Sequence, residues 1–304
     1  MSIIASKVTK LYGVQKALSE VSFSIPSGEI VGFLGPNGAG KSTMMKTITC
    51  FLPPSSGSVK VCGLDVMDQA IEVKKKVGYL PEHNPLYLDM WVKEYLEFIA
   101  GIYKLPKKKA RVKEMISLVG LEIEQHKKIG ALSKGYRQRV GLAQAMIHDP
   151  EVLILDEPTS GLDPNQLVEI RKLITNIGKE KTVMLSTHIM QEVEAICDRA
   201  IIINKGLIVA DEKVEALRQL SSKDAEIILV EFQEVINESD FAGIPGIKSI
   251  KKTSPKEVEL VADGSTDVRA AIVKWSVESG KDIAGLSKKS MNMEEVFKQL
   301  TASK

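Results

Sequence analysis

The chain has 304 residues, of which 44% are hydrophobic and 26% charged, and its 41 basic and 39 acidic residues leave a formal net charge of +2. This is the composition of an ordinary globular protein, long enough for one large domain or two unequal ones. The near balance of charge excludes a general attraction to nucleic acid or anionic lipid, so any such partner needs a local site.

The three cysteines, Cys50, Cys62 and Cys197, are an odd number without a C-x-x-C spacing. They predict neither a disulfide framework nor a zinc site, and a reducing cytosol fits them best. The opening MSIIASKVTKLYG is too polar for a signal peptide, and the sequence lacks the run of about 18 apolar residues that a membrane-spanning helix needs. We therefore expect a soluble, cytoplasmic protein.

The first predicted elements are three strands and a helix. VSFSI (residues 21–25) and SVKVCG (58–63) alternate between apolar and polar residues, which predicts half-exposed strands. IVGFLG (30–35) is a solid apolar run, typical of a buried parallel strand. A helix is predicted from Lys41 to Phe51, between the buried strand and the second alternating one.

Residues 85–130 have helical periodicity without an intervening strand, which indicates a helical insert. With the helix predicted from Gly135 to His148, they form a helical subdomain at about 85–150. VLILD, TVML and RAIIIN predict further buried strands, and NKG at 204–206 predicts a hairpin. Because strands and helices alternate, we expect a parallel sheet covered by helices.

After about residue 220 the composition changes. The polar stretch QLSSKD precedes IILVEF, a helix-like DVRAAIVKWSVESG and a final MNMEEVFKQLTA. These segments predict a small α+β unit with its own apolar faces. We therefore place one domain at 1–218 and a second at 219–304.

A glycine-rich segment, GPNGAGKST, follows the first buried strand and opens a helix. In that context G-x-x-x-x-G-K-[ST] predicts a phosphate-binding loop, because glycines let backbone N–H groups turn toward the β- and γ-phosphates of a nucleotide. Lys41 supplies a point charge to those phosphates, and Ser42 offers a hydroxyl to Mg²⁺. The predicted nucleotide-binding residues are Gly35, Pro36, Asn37, Gly38, Ala39, Gly40, Lys41, Ser42 and Thr43.

Two adjacent carboxylates, Asp156 and Glu157, end the buried strand in VLILDEP. Open α/β sheets bind their ligands at the carboxyl ends of strands. Asp156 is therefore predicted to hold Mg²⁺ through water, and Glu157 to polarise the attacking water as general base. By itself such a segment is more often a strand that simply ends in solvated acids, but its pairing with the phosphate loop favours the catalytic interpretation.

Four segments, GPNGAGKST, LSKGYRQRV, VLILDEPTSGLD and LSTH, resemble in order and separation the nucleotide-binding subunit of ATP-binding-cassette (ABC) transporters. The resemblance covers roughly residues 3–215. It implies an α/β fold: a phosphate-loop NTPase cassette with a mixed sheet, parallel at its core, further antiparallel strands and a helical subdomain, followed by a small α+β domain. It also implies ATPase activity with ATP and Mg²⁺ as cofactors.

Three shorter stretches, YLPEHNPLY, LSKGYRQRV and MEEVFKQLT, resemble more narrowly the gliding-motility-associated subunit in the multidrug-export-like branch of this family. That branch often carries a small C-terminal domain, which matches the unit predicted at 219–304. The transported substrate does not follow from any of these residues.

In this family the segment that LSKGYRQRV resembles lies at a helix N-terminus and contacts the γ-phosphate of ATP bound to the other protomer. The resemblance assigns this contact to Ser133 and Gly135. Ser133 before a helical run is a good N-cap, and the free N–H groups there form an anion site. A two-fold dimer would then close each ATP between the Lys41 loop of one chain and the Ser133 loop of the other. We expect a homodimer, or a pair with a related cassette.

Three further positions carry over from the resemblance. Tyr12 matches the aromatic residue that stacks on adenine, Asp163 matches a loop across the dimer interface, and His188 matches the histidine that contacts the γ-phosphate and positions water. Without the surrounding motifs, such a tyrosine and such a histidine are more often structural. We interpret the other histidines as surface or packing residues: His83, His126 and His148.

The chain departs from the family pattern at two places. Lys134 and Tyr136 replace the usual glycine and glutamine of the signature segment, so the Lys134 ammonium either assists phosphate binding or points to solvent. Glu82 stands where a glutamine usually reaches Mg²⁺ and the attacking water. It remains an oxygen ligand for the metal, but its charge can alter metal affinity or pH dependence.

The resemblance also implies a separate integral-membrane permease. A short permease helix docks between the sheet and the helical subdomain, here in a groove lined from Glu82 through Leu88 to about Phe98, which places the chain on the inner face of the cell membrane. Apolar residues make an exposed docking surface possible there, although such residues are also typical of a helical core. They are Pro81, Pro85, Leu86, Tyr87, Trp91 and Tyr95.

Two alternatives belong to other functional classes. A soluble cassette ATPase could act on the ribosome or on nucleic acid, because PKKKARVK and KSIKK could contact phosphate. Such runs are usually solvated helix faces, and we expect no nucleic-acid partner. A regulatory nucleotide-binding protein that drives no transport is the second alternative, which the presence of Glu157 and His188 disfavours.

Overall fold

The protein divides into two compact units, Met1–Val214 and Glu215–Lys304. The domain boundary predicted between 218 and 219 lies near this division and stays a prediction. None of the described helices is long and apolar enough to cross a membrane. The computed structural model describes residues 1–223, 226–241, 244–262 and 268–289, together with 294, 297 and 301. Apart from those three single positions, the segment MNMEEVFKQLTA lies outside the described residues.

The first unit opens with three strands, and from β3 onward its strands are interspersed with helices. Its strands are β1 (Ile3–Tyr12), β2 (Gln15–Ile25), β3 (Ile30–Leu34), β4 (Ser56–Val61), β5 (Leu64–Asp65), β6 (Val77–Leu80), β7 (Val152–Asp156), β8 (Thr182–Thr187), β9 (Arg199–Asn204) and β10 (Leu207–Lys213). Its helices are α1 (Lys41–Ile48), α2 (Ala70–Lys76), α3 (Val92–Ile102), α4 (Lys108–Leu118), α5 (Lys134–Met146), α6 (Pro164–Gly178) and α7 (Met190–Ile196).

The central sheet has the strand order β10-β9-β3-β8-β7-β6. From β9 to β6 neighbouring strands pair in parallel, whereas β10 pairs with β9 as an antiparallel hairpin across the NKG turn. Every residue of β3, β7 and β8 is buried, which explains their solid apolar or small-residue runs. The predicted parallel core of the sheet is confirmed.

A second, antiparallel sheet has the order β2-β1-β4-β5. Its inward residues share one apolar core with helix α1 and with the central sheet. Val8 and Phe23 represent the antiparallel sheet in this core, Met44 represents α1, and Ile154 represents the central sheet. Because α1 is buried between the two sheets, the loop that precedes it is held from both sides.

Helices α3, α4 and α5 form the helical subdomain, with a short 3-10 helix at Ile129–Ala131 before α5. α3 contributes Tyr95 and Leu96 to its interior, and the Tyr95 hydroxyl lies 2.7 Å from the side-chain oxygen of Gln144 on α5. The predicted helical periodicity of this region is therefore matched by three packed helices.

His148, just after α5, is a packing residue whose two ring nitrogens differ in their surroundings. Its ring stacks on Tyr103 with centroids 4.1 Å apart, and its Nε2 lies 3.1 Å from the carbonyl oxygen of Val77. Nδ1 is buried without a hydrogen-bond partner among the described residues. Burial lowers the pKa of His148, so the folded protein holds this ring neutral below the pH at which an unfolded chain protonates it.

Replacing His148 by phenylalanine should therefore flatten the pH dependence of stability. Between roughly pH 7 and pH 5 the unfolded wild-type chain binds more protons at this position than the folded one, so the free energy of unfolding falls as pH falls. Phenylalanine keeps an aromatic ring but removes the titration. Urea unfolding across this range checks the prediction, with His126→Phe, an exposed position, as control. Equal slopes for wild type and His148→Phe would contradict it.

The second unit is a small α+β domain. Its antiparallel sheet has the order β12-β13-β11-β14, and the rings of Phe232, Phe241 and Trp275 contact one another at centroid distances of 4.8–6.0 Å. The described elements, beginning at the division between the units, are α8 (Val214–Lys223), β11 (Glu226–Phe232), a 3-10 helix (Glu238–Phe241), β12 (Ile247–Ser254), β13 (Glu257–Ala262), α9 (Arg269–Ser279) and β14 (Ile283–Lys289). Residues 219–223 of the polar stretch QLSSKD belong to α8.

Candidate functional site

The glycine-rich loop connects β3 to α1, as its sequence predicts. Gly40 has φ +112°, and a Cβ added there would lie 2.5 Å from the carbonyl oxygen of Ala17. A Cβ on Gly35 would lie 2.3 Å from the carbonyl oxygen of Ile203. Both positions therefore exclude any side chain, because the loop backbone packs closely against the backbone at Ala17 and Ile203.

Lys41 is the first residue of α1 and is buried inside the loop. Its Nζ donates to the carbonyl oxygens of Gly35, at 2.8 Å, and of Pro36, at 3.3 Å. The same nitrogen lies 3.6 Å from Oε1 of Glu157. Loop carbonyls thus hold the ammonium at the start of a helix, where the N-terminal partial charge already favours anions.

Ser42 and Asp156 place two oxygen atoms side by side. Ser42 Oγ donates to Asp156 Oδ1 at 3.2 Å, and Ser186 Oγ donates to the same oxygen at 2.6 Å. Asp156 and Ser186 are register partners on β7 and β8. A hydroxyl beside a carboxylate suits Mg²⁺, which is usually held by one or two protein oxygens together with phosphates and water.

Glu157 is held in a strained backbone conformation at the edge of this cluster. Its φ is +49°, a left-handed value that costs a residue other than glycine about 1–3 kcal/mol. The Ser186 hydroxyl accepts from the Glu157 N–H at 2.9 Å. The two carboxylate oxygens lie 3.0 and 3.1 Å from Nδ1 of His188. Glu157 thus contacts both Lys41 and His188.

A cavity of about 640 Å³ joins these groups. It brings Tyr12 from the end of β1 and Glu82 from the loop after β6 to the phosphate loop. Its lining comprises Tyr12, Gln15, Ala17, Asn37, Gly38, Gly40, Lys41, Ser42, Thr43, Glu82, Glu157, Ser160 and His188. Most of the residues predicted for nucleotide, metal and catalytic roles in the cassette thus line one cavity. Besides Ser133, Gly135 and Asp163, four others are not part of its lining: Gly35, Pro36, Ala39 and Asp156.

The signature segment does not contribute to this cavity, whose lining includes neither Ser133 nor Gly135. Ser133 is the N-cap of α5, and its Oγ accepts from the Tyr136 N–H at 3.4 Å. The ammonium of Lys134 occupies the space that a Cβ on Gly161 would take, at 2.2 Å. The Lys134 side chain thus covers the loop before α6 in its own chain.

Asp163 also lies outside the cavity, at the start of α6. Its Oδ1 accepts from the N–H groups of Asn165 and Gln166, each at 3.0 Å, and Pro164 fills the first helical position. This is a well-formed helix cap. The Asp163 carboxylate therefore has a structural role within the chain, whatever it contacts beyond it.

Sequence reasoning missed several residues of the site. Ser186 bridges Asp156 and the Glu157 backbone, and Gln15, Ala17 and Ser160 line the cavity. A signal for Ser186 was present in LSTH, where two hydroxyl residues close a buried strand. Gln15 and Ala17 carry no local signal, because they reach the site through the hairpin between β1 and β2.

A phosphate loop and a hydroxyl–carboxylate pair at the carboxyl ends of parallel strands define a nucleotide-binding protein of the phosphate-loop class. The comparisons with known proteins agree. A family model described as ABC transporter matches residues 18–160. The ABC transporter ATP-binding protein NatA of Bacillus subtilis (strain 168) is 40% identical over 208 residues, which cover 67% of this chain and 85% of that protein.

Two further similarities extend this result. The linearmycin resistance ATP-binding protein LnrL of Bacillus subtilis (strain 168) is 32% identical over 307 residues, covering 98% of this chain and 97% of that protein. A dimeric ATP-binding cassette, solved in a post-hydrolysis state with ADP and Pi bound, is 28% identical with a TM-score of 0.64, covering 70% of this chain and 98% of that one. The chain belongs to the ABC transporter family, as an ATP-binding subunit. It is an ATPase whose cofactors are ATP and Mg²⁺.

Proposed function

We propose that two copies of this chain bind ATP between them and drive export of a substrate through a separate integral-membrane permease. The main support for this proposal is that the candidate phosphate-binding groups of one chain lie in two separate places. Lys41, Ser42, Glu157 and His188 share one cavity, whereas the capped N-terminus of α5 at Ser133 lies outside it. One relative that matches over nearly the whole chain is named as a linearmycin resistance ATP-binding protein, which is consistent with an export role.

Within one chain we assign phosphate binding to the loop N–H groups and to Lys41. The adjacent oxygens of Ser42 and Asp156 would hold Mg²⁺, Asp156 through water, with Glu82 facing the same cavity. When bound, this metal would neutralise charge on the phosphate oxygens. Tyr12, exposed at the cavity wall, would stack on the adenine ring.

Glu157 would act as general base. Its carboxylate would accept a proton from the water molecule whose oxygen attacks the γ-phosphorus, and the ring of His188 would hold that carboxylate and the water in place. The strained Glu157 backbone is consistent with this role, because strain of this kind clusters at active sites. Ser186 fixes the Glu157 backbone while it also orients Asp156.

The second copy would complete the site. Ser133 and Gly135 begin a helix of 13 residues without an acid in its first turn, so the N-terminal N–H groups face no anion of their own helix. The γ-phosphate in the other protomer's cavity would supply that anion. Asp163, at the start of α6, would lie at the same interface. A solved neighbour of this fold is dimeric with ADP and Pi bound, which supports the arrangement.

An apolar groove of about 370 Å³ offers a docking site for the permease helix. Of the apolar residues predicted for docking, Pro81 and Pro85 line this groove. Tyr87 and Trp91 are exposed but are not part of its lining, and Leu86 and Tyr95 are buried in the helical core. Three buried polar atoms of groove residues have no hydrogen-bond partner among the described residues: Tyr79 Oη, Asn84 Nδ2 and His148 Nδ1.

Charge in this groove should break permease docking. Ile102 lines the groove and is 60% exposed, so Ile102→Glu leaves the isolated chain folded but buries a charge on docking. We expect at least about tenfold weaker co-purification of the permease. The matched control is Ile123→Glu, at an 86% exposed position in the helical region outside the groove. Equal retention of the permease by both variants would contradict this docking site.

The transporter proposal is tested by affinity purification of tagged Glu157→Gln from detergent-solubilised membranes of the source cell with ATP present. A polytopic membrane protein in near-equal amount is the expected result, and it would identify the permease. Recovery of ribosomal protein or nucleic acid without a membrane protein would overturn the proposal. Family membership does not favour that outcome.

The finer placement in the gliding-motility-associated branch stays a prediction. It rests on YLPEHNPLY, LSKGYRQRV and MEEVFKQLT, and most of the last stretch lies outside the described residues. We infer a location on the inner face of the cell membrane, because the permease must be reached there. Loss of gliding on deletion of the gene, restored by the wild-type chain, would support this branch.

A further inference from the structure

A buried carboxylate lies behind the catalytic cavity and has no part in the chemistry described so far. Glu192, in the first turn of α7, is 1% exposed. The Thr159 hydroxyl donates to its Oε1, and the Thr187 hydroxyl donates to its Oε2 at 2.7 Å. Thr187 Oγ1 in turn accepts from the Ile189 N–H at 3.1 Å. Both carboxylate oxygens are thus engaged by hydroxyl groups.

Stability does not require an acid at this position. Removing a carboxylate from water is costly, and the two hydroxyl donors and the helix N-terminus offset that cost. The net contribution of such a cluster to stability does not exceed that of well-packed apolar side chains of similar size. Thr159 and Thr187 are buried as well, so three apolar side chains could fill the same space. Packing alone therefore does not explain the hydrogen-bonded side chains of Thr159, Glu192 and Thr187, which we call the polar bridge.

The bridge joins the two loops that carry the proposed catalytic side chains. Thr159 lies two positions after Glu157, in the loop that follows β7. Thr187 ends β8 and directly precedes His188. Glu192 is hydrogen-bonded to both, so it sets the spacing between these loops at the level where Glu157 and His188 meet at 3.0 Å.

The Glu157 backbone needs such a constraint. A residue other than glycine at φ +49° returns to an ordinary conformation unless the structure around it prevents this. On the N-terminal side Ser186 holds the Glu157 N–H. On the C-terminal side Thr159 is tied to Glu192. The two side-chain contacts hold the strained residue between them.

We propose that Glu192 is a positioning residue for ATP hydrolysis, which keeps Glu157 and His188 in register through the bridge Thr159–Glu192–Thr187. This inference rests on the proposed roles of Glu157 and His188. It assigns Glu192 no contact with nucleotide. Its loss should therefore affect the rate of the chemical step and leave ATP affinity unchanged.

The test compares steady-state ATP hydrolysis and equilibrium ATP binding for Glu192→Met, Thr159→Val and Thr187→Val. Each variant removes bridge bonds at nearly constant volume. We expect kcat to fall about 10- to 100-fold with KM and the ATP dissociation constant within about twofold of wild type, because a displacement near 1 Å at the reacting groups has effects of this size. Glu192→Gln, which still offers one acceptor and one donor, should recover part of the rate. Gln191→Met, at an exposed position on the same helix, is the control.

Two further comparisons separate positioning from stability. The double variant Thr159→Val/Glu192→Met should be no slower than the slower single variant, because both break one bridge. If Glu192→Met does not fold, Thr159→Ser against Thr159→Val isolates the hydroxyl. The proposal is overturned by kcat within twofold of wild type in the bridge variants, by multiplying effects in the double variant, or by parallel losses of kcat, ATP affinity and melting temperature. Glu157→Gln measured alongside distinguishes these results from failure of the Glu157 assignment, since wild-type hydrolysis by that variant would refute the general base itself.

Discussion

Glu157→Gln is expected to lower kcat for ATP hydrolysis by about 10²- to 10⁴-fold, the range that a positioned general base supplies. The amide keeps the shape of the side chain but cannot accept a proton from water. It also removes a negative charge 3.6 Å from Lys41, in a cavity that must receive the phosphates of ATP. ATP affinity should therefore be equal to or higher than that of the wild type. Single-turnover hydrolysis and nucleotide titration measure the two quantities.

The same variant should accumulate the ATP-bound dimer. If hydrolysis reopens the dimer, a variant that binds ATP without cleaving it stays dimeric. Size-exclusion chromatography should therefore give a dimer with ATP and Mg²⁺ but a monomer with ADP. Glu180→Gln, an exposed acid beyond α6, is the matched control and should hydrolyse ATP at the wild-type rate. Glu157→Gln that remains monomeric at saturating ATP would count against ATP-dependent dimerisation.

The parts of the fold that sequence could predict are those with local causes. IVGFL and VLILD are buried on both faces, so their composition suffices to mark them as central strands. The phosphate loop is equally local, since glycines, Lys41 and Ser42 act over one turn of chain. β1, by contrast, was not predicted. Its pairing shifts register between Ala5 and Val8, where Lys7 has φ +47°, and this irregularity interrupts the period of two on which strand prediction depends.

Contacts between loops that are distant in the sequence could not be predicted, because they depend on strand register and tertiary packing. Asp156 meets Ser186 because β7 and β8 pair in one particular register, and strands that are apolar on both faces do not specify their register. Thr159 and Glu192 meet because α7 returns beneath the loop after β7. Neither pair has a spacing signature. The residues that perform the proposed chemistry could be found from motifs, whereas the pairings that hold them in place could not.

If two chains share each ATP site, a mixed dimer of two different inactive variants should recover ATP hydrolysis. Lys41→Ala should abolish phosphate binding by the loop, and Ser133→Arg should block the N-terminus of α5, so each homodimer should be inactive. If each ATP lies between the Lys41 of one chain and the Ser133 of the other, both substitutions in the mixed dimer fall on the same site. The second site then keeps a wild-type loop and a wild-type signature. Mixed dimers isolated with two affinity tags should therefore hydrolyse ATP.

The reciprocal pairing makes the experiment decisive. A chain carrying both Lys41→Ala and Ser133→Arg, paired with a wild-type chain, damages both shared sites and should be inactive. If each site were instead formed within one chain, the outcomes would be reversed: the wild-type partner would retain its own intact site, and the mixed dimer of single variants would have none. Loss of the Ser133 cap costs about 0.5–2 kcal/mol of stability, so thermal unfolding must show that Ser133→Arg is folded. The two mixed dimers carry the same two substitutions and differ only in whether these lie on different chains or on one chain. Their difference in ATP hydrolysis therefore tests directly whether the α5 N-terminus binds a partner's nucleotide.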